Sequence, residues 1–183
     1  MNQKQTAAHQ QTAPIEFIPL NIAVMTVSDS RTEADDKSGN ILADRLREAG
    51  HQLGDKQIVI DDRYQIRAVL SQWIADPEIH TVITTGGTGL TGRDITPEAV
   101  QPLFDKEIEG FGELFRYLSY LTIKTSSLQS RAISGLANGT PIFCLPGSPG
   151  ACKDAWDGII VHQLDRRHRP CNLVEMMPRF LEV

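Results

Sequence analysis

The sequence predicts an α/β protein: a single domain built on a mostly parallel sheet with helices on both faces. Short apolar runs of strand length recur along the chain, and stretches with apolar residues at helical spacing separate them. The 183 residues, 40% hydrophobic and 22% charged, suffice for one buried core but not comfortably for two. Strands that alternate with helices in this way join a parallel sheet through right-handed crossovers, with helices covering both of its faces.

Residues 1–15 hold four glutamines and no apolar period. They cannot bury enough surface to offset their ordering entropy, which predicts a disordered N-terminal tail and a folded domain over 16–183. From Asn21 to Val27 runs Ile22-Ala23-Val24-Met25, a strand covered on both faces. Ser28 to Lys37 is a polar loop. Ile41, Leu42, Leu46 and Ala49 then share a helical stripe, with Ser38 as its N-cap and Gly50 at its stop. Ile58 to Ile60 is a second strand ending at Asp61-Asp62. Ile66, Val69, Leu70, Trp73 and Ile74 mark the clearest amphipathic helix. Thr81 to Thr85 forms a third strand that enters a glycine-rich turn, after which Thr96 and Pro97 read as the N-cap and first turn of a helix. Between Gly110 and Ile133 the pattern is helical in parts, with Phe111, Leu114, Phe115 and Leu118 on one face. Pro141 to Leu145 is the last strand. It enters Pro146-Gly147-Ser148-Pro149-Gly150, and a helix from about Ala151 to Leu164 follows.

In such folds ligands gather at the carboxyl ends of strands, where loops lead into helix N-termini. Ser28 to Ser38, Asp61-Asp62, Gly86 to Asp94 and Pro146 to Gly150 each follow a strand, so one crevice can hold all four. The central feature is Thr84-Thr85-Gly86-Gly87-Thr88-Gly89, with Asp94 just beyond. Gly87 to Gly92 satisfies the dinucleotide pattern G-x-G-x-x-G and nearly satisfies the P-loop, but neither reading fits. Arg93 and Asp94 stand where a P-loop needs Lys and Ser or Thr, and the next helix opens several residues too late for a dinucleotide fold. What remains is a set of residues without Cβ atoms, whose backbone N–H groups can surround an anionic, phosphate-bearing ligand. A tight strand-to-helix connection is the plainer alternative. An acid beside an anion site is costly unless a cation bridges the two, so Asp94 suggests Mg²⁺; its plainer role is to cap the local turn.

Composition excludes several classes. With 18 Lys+Arg against 23 Asp+Glu the net charge is -5, which argues against a nucleic-acid partner. No apolar run approaches the roughly 20 residues of a spanning helix, and the N-terminus is not that of a signal peptide, which together predict a cytoplasmic protein without a membrane partner. Cys144, Cys152 and Cys171 lack a C-x-x-C spacing and read as inert thiols. His51, His80 and His162 form no nucleophilic pattern, and His168 with Cys171 makes a poor metal pair. The run Arg166 to Arg169 reads as a solvated face, with an anion site or a subunit contact as the alternatives. Phe111, Leu114, Phe115, Leu118 and Tyr120 read either as core or as a subunit contact.

The stretch Thr85 to Gly89, followed by Arg93-Asp94 and Thr96-Pro97-Glu98-Ala99, resembles the molybdenum cofactor biosynthesis proteins of the MoaB/MogA family, which includes the gephyrin G domain. Asp36-Lys37-Ser38-Gly39, Ser130-Arg131-Ala132 and Pro146-Gly147-Ser148-Pro149 are similar to further family segments. Phe111 to Arg116, Gln163 to Asp165 and Arg169 to Asn172 look more like MoaB than MogA. The resemblance implies a molybdopterin-binding fold and, for active members, adenylylation of molybdopterin by Mg-ATP with release of pyrophosphate. It implies that Gly86, Gly87, Thr88 and Gly89 cradle phosphate, and that Asp94 and Asp61 are catalytic and place Mg²⁺. It further implies that Ser130 and Arg131 hold the pterin and its phosphate, that Pro146, Gly147 and Ser148 shape the pocket, and that Asp29, Ser38 and Gly39 border the nucleotide. A homo-oligomer is implied as well, a hexamer before a trimer. The alternative is a non-catalytic molybdopterin-binding or scaffold oligomer, which the MoaB-like tail and the serine at 148 favour.

Overall fold

The computed structural model describes residues 14–182 of the chain. Most of the expected tail, residues 1–13, lies outside the described residues; Pro14 and Ile15 carry no regular structure. In chain order the main elements are β1 (Asn21–Val27), α1 (Lys37–Glu48), β2 (Gln52–Val59), α2 (Arg63–Ala75), β3 (Thr81–Thr85), α3 (Thr96–Val100), β4 (Lys106–Glu107), α4 (Glu109–Ile123), β5 (Ile133–Ala137), β6 (Thr140–Leu145) and α5 (Pro149–Ala155). The helix begun by α5 continues through a π turn, Trp156–Ile160, to α6 (Val161–Gln163), and α7 (Leu173–Met176) follows.

One six-stranded sheet has the order β2-β1-β3-β6-β5-β4. The first four are parallel, and β5 and β4 extend the sheet antiparallel. The parallel strands are the ones the apolar runs predict; β1, β3 and β6 are buried along almost their whole length. On one face α1, α4 and α5 bury Leu42, Leu46, Phe111, Phe115, Cys152 and Ala155 against Ile22, Val24, Ile83 and Phe143. On the other, α2 and α3 bury Ile66, Leu70, Trp73, Ala99 and Val100 against Ala23, Met25, Val82 and Ile142. Each large apolar side chain so buried contributes about 1.5–3 kcal/mol. Among the described residues no helix is long and apolar enough to cross a membrane.

Three local expectations are corrected, and one strand is added to those expected. The N-cap of α1 is Asp36, not Ser38: its carboxylate accepts the Gly39 amide at 2.9 Å. Thr96 does not cap α3. It is the first helical residue, preceded by Ile95, and its hydroxyl is used elsewhere. The second strand spans eight residues, not three, because β2 lies at a sheet edge where polar side chains can alternate outward. The hairpin strand β5 was not visible as a strand, since Ile-Ser-Gly-Leu-Ala has no alternation. Its Gly135 exists for close approach, because a Cβ there would enter the Phe104 ring. In α4 the two readings divide: Phe111 and Phe115 are buried in the core, whereas Leu114 and Tyr120 are exposed.

Register places the site. Thr26 pairs with Thr85, and Thr85 with Leu145, so β1, β3 and β6 end on one line. The loops that leave them therefore start side by side.

Candidate functional site

Those three loops, with α4 as the far wall, enclose a cleft of about 530 Å³. Its lining includes Ser28, Arg31, Asp36, Lys37 and Ser38 after β1, Thr85 to Gly89 and Asp94 after β3, and Pro146 to Pro149 after β6. The opposite wall presents Phe115, Ser119, Ile123, Ser126, Gln129 and Ser130. Nine of the lining residues are Ser or Thr, and Arg31 and Lys37 are the two cations of the lining.

The glycine turn is shaped by backbone demands. Gly86 has φ +105° and Gly87 φ +63°, conformations that side chains with a Cβ avoid. A Cβ at Gly86 would also collide with the Val27 carbonyl, and one at Gly87 with the Thr96 hydroxyl. The Gly86 amide donates to the Leu145 carbonyl at 3.0 Å, and Thr96 satisfies both glycine carbonyls: its hydroxyl donates to Gly86 at 2.8 Å and its amide to Gly87 at 2.9 Å. Neighbouring loops are pinned to the turn. The Thr85 hydroxyl donates to the Pro146 carbonyl at 2.9 Å, and Ser38 donates to the Gly147 carbonyl at 2.8 Å. Gly39 lies against Asp36 and Thr26 behind that wall. Ser148 caps α5 through the Ala151 amide at 3.2 Å.

Asp94 sits at the rim of the cleft. Its carboxylate accepts the Thr91 hydroxyl at 2.6 Å and the Thr91 amide at 2.8 Å. The Thr91 hydroxyl, more than any other group, holds it below the ordinary carboxylate range, so it is ionised at neutral pH. Asp61 and Asp29 stand beside the cleft, not on its lining. Burial, then the negative charge of Asp29, raises the Asp61 pKa above its ordinary value. Asp29 is gripped by Arg93 at 2.6–2.9 Å and accepts the Asp61 amide at 3.0 Å; the Arg93 bonds hold its pKa low. Among the described residues no group of three or more His, Cys, Asp or Glu is arranged to hold a metal ion.

Ser130 lies on the cleft wall, and its buried hydroxyl has no hydrogen-bond partner among the described residues. Arg131 stands behind the glycine turn. It donates to the Gly89 carbonyl at 2.8 Å and the Asp94 carbonyl at 2.7 Å, and pairs with the Glu98 carboxylate. Its guanidinium thus braces the turn from outside the cleft. Of the cysteines, Cys144 and Cys152 are buried, and burial pushes their thiols up to about 12 and about 11. Sequence reasoning missed Lys56, whose signal was a charged residue in a strand position opposite the core residue Val24. It also passed over Asp36, whose signal was an acid three residues ahead of a helical glycine.

The chain is similar to known proteins over most of its length. Residues 23–166 match the family profile described as "Probable molybdopterin binding domain". The "Molybdenum cofactor biosynthesis protein B" of Escherichia coli K12 is 58% identical over 157 residues, 86% of this chain and 92% of that protein. The protein of the same name from Bacillus cereus is 44% identical over 85% of this chain and 91% of its own length. A crystal structure of a molybdenum cofactor biosynthesis protein B aligns with TM-score 0.79 at 44% identity, covering 84% of this chain and 94% of its own. The tungsten cofactor synthesizing protein MoaB of Pyrococcus furiosus aligns with TM-score 0.72 at 37% identity, covering 78% and 91%. On the extent of the profile match and of these similarities, the chain belongs to the molybdopterin-binding domain family of molybdenum cofactor biosynthesis proteins.

Proposed function

We propose that the chain acts in molybdenum cofactor biosynthesis by binding molybdopterin in the cleft and adenylylating it with ATP. The supporting observation is the main-chain cradle Gly86 to Gly89, fixed by Thr96, with the ionised Asp94 at its rim. A phosphate oxygen of the pterin attacks the α-phosphorus of ATP, the bond to the bridging β-phosphate oxygen breaks, and pyrophosphate leaves with the electron pair. Such a transfer asks the protein chiefly to position two anions and offset their charge.

With the Gly86 amide spent on the Leu145 carbonyl and the Gly89 amide on the Asp94 carboxylate, the Gly87 and Thr88 amides are the ones left to supply fixed dipoles for a phosphate, and Arg31 and Lys37 add cationic charge on the β1 side of the cleft. Ser119, Ser126, Gln129 and Ser130 offer hydrogen bonds for a polar heterocycle on the α4 side. Asp94 and Asp61 are the residues that would hold Mg²⁺, which binds through one or two carboxylates plus substrate phosphates and there offsets phosphate charge. One carboxylate at the rim and one beside it fit that mode, and the lack of a three-carboxylate cluster is no obstacle to it.

Incubating the protein with molybdopterin and Mg-ATP should release pyrophosphate and yield adenylylated pterin. Asp94→Asn should lower turnover at least a hundredfold, with a smaller loss of pterin binding. A wild type that binds molybdopterin without forming product would instead support the second reading, a non-catalytic scaffold. The exposed row Leu114, Tyr117, Tyr120, Leu121 and Ile123 on α4 favours self-association in either reading. We propose a homo-oligomer, a hexamer before a trimer, which a solution mass measurement decides.

A further inference from the structure

A buried ion pair lies against the cleft and has no part in the binding just described. Asp36 is 1% exposed, and the residue forms part of the cleft wall. It caps α1 through the Gly39 amide and accepts the Thr26 hydroxyl, each at 2.9 Å. Lys56, from the middle of β2, brings its ammonium to 2.9 Å from Asp36 and 2.7 Å from Glu33, with its own side chain 11% exposed. Burial works against the lysine's charge, but the hydrogen bonds it donates to Glu33 and Asp36 prevail, and its pKa stands above the ordinary value.

Asp36 serves the helix and the ligand in opposite ways. A carboxylate at an N-cap satisfies an orphan amide and complements the helix dipole. The same negative charge, held in a poorly solvated wall beside the glycine turn, repels a polyphosphate through a medium that screens weakly. Lys56 reconciles the two demands. It offsets the charge with an ammonium that sits behind the wall, outside the lining, and is shared with the exposed Glu33 carboxylate, while the oxygen that caps α1 keeps its bond. Ser38, two residues after Asp36, is tied to the Gly147 carbonyl, so the capped helix end is also what carries one loop of the cleft to the next.

We propose that Lys56 is a positioning residue for the nucleotide: it neutralises Asp36 at the cleft wall and so sets the affinity of the cleft for a polyphosphate. This rests on the ATP reading above. A purely structural staple between β2 and the loop after β1 is the competing account, and the two differ in what removing the carboxylate charge does.

Calorimetric titration of Mg-ATP into the full chain distinguishes them. Lys56→Met should bind on the order of tenfold more weakly than the wild type. Asp36→Asn should bind at least as tightly as the wild type, since asparagine caps helices as well as aspartate and carries no charge. The double variant should recover wild-type affinity, a rescue that a staple does not allow. Should Lys56→Met fail to fold, Asp36→Asn and the double variant still decide. Equal binding by Lys56→Met, weaker binding by Asp36→Asn, or a double variant below the wild type overturns the inference and leaves the nucleotide reading standing. A wild type that takes up no Mg-ATP overturns both.

Discussion

The hydroxyl of Thr96 donates to the carbonyl of Gly86 at 2.8 Å, and both groups are buried. Helix α3 therefore holds the glycine turn by a side chain at its first residue, where a capping role had been expected. Thr96→Val keeps the shape and removes the donor, leaving the carbonyl unpaired. It should destabilise the protein by about 1–3 kcal/mol in urea denaturation. It should also weaken Mg-ATP binding, because the turn loses its fixed conformation.

Gly86 and Gly92 provide a matched contrast. Gly86→Ala faces both a left-handed backbone and the Val27 carbonyl, so it should cost about 2 kcal/mol or more and abolish anion binding. A Cβ at Gly92 meets nothing within 4 Å, and Gly92→Ala should leave both properties near wild type. Equal effects from the two substitutions would contradict the account of the turn.

Arg131 joins both ends of the loop from Gly89 to Asp94 to the start of α3 through Glu98. Arg131→Met removes these ties. Amide hydrogen exchange over residues 89–94 should quicken at least tenfold while β1 amides keep their protection. Global stability should fall by about 1–3 kcal/mol. A variant that loses ligand affinity without faster exchange would mean that Arg131 touches the ligand itself.

Stability should depend on pH through His51. Its ring is 5% exposed and accepts the Leu20 amide at 3.2 Å, and burial lowers its pKa from 6.5 to about 4, with the charge of Asp165 acting weakly the other way. Between those values the unfolded chain binds the proton and the folded chain does not. The contribution is therefore intact above pH 6.5 and is lost as the pH falls from 6.5 towards 4. Urea midpoints measured across that window should drop with falling pH. His51→Asn, which keeps an acceptor but does not titrate, should flatten the dependence.

The sheet's parallel half was legible because its central strands are covered on both faces, which leaves unbroken apolar runs such as Ile22 to Met25. The hairpin half was not: Ile133 to Ala137 spends two of five positions on Ser and Gly, and β4 is two polar residues long. The glycine turn was legible from composition alone, since few other roles call for so many residues without a Cβ. The function of Thr96 was hidden because its partner is a backbone carbonyl ten residues back, which no periodicity records. Lys56 was hidden for a related reason. A lysine in an edge strand reads as solvated, and only the fold brings it against Asp36. The resemblance named Arg131 as a ligand contact; its bonds to the Gly89 and Asp94 carbonyls and to Glu98 are visible only in the fold.

If the turn acts through its amides, as proposed, its chemistry cannot be edited one residue at a time; replacing Gly86 or Gly87, each with a left-handed backbone, would remove the cradle outright. Any redesign towards a different heterocycle must leave that region alone and work on α4 and the segment after it. There Ser119, Ser126 and Gln129 are ordinary side chains on a separate wall, open to exchange without disturbing the glycine turn proposed to hold the phosphate. On the proposed reading the molecule is in this sense modular: one wall would recognise a class of ligand, and the other could be taught a new member of it.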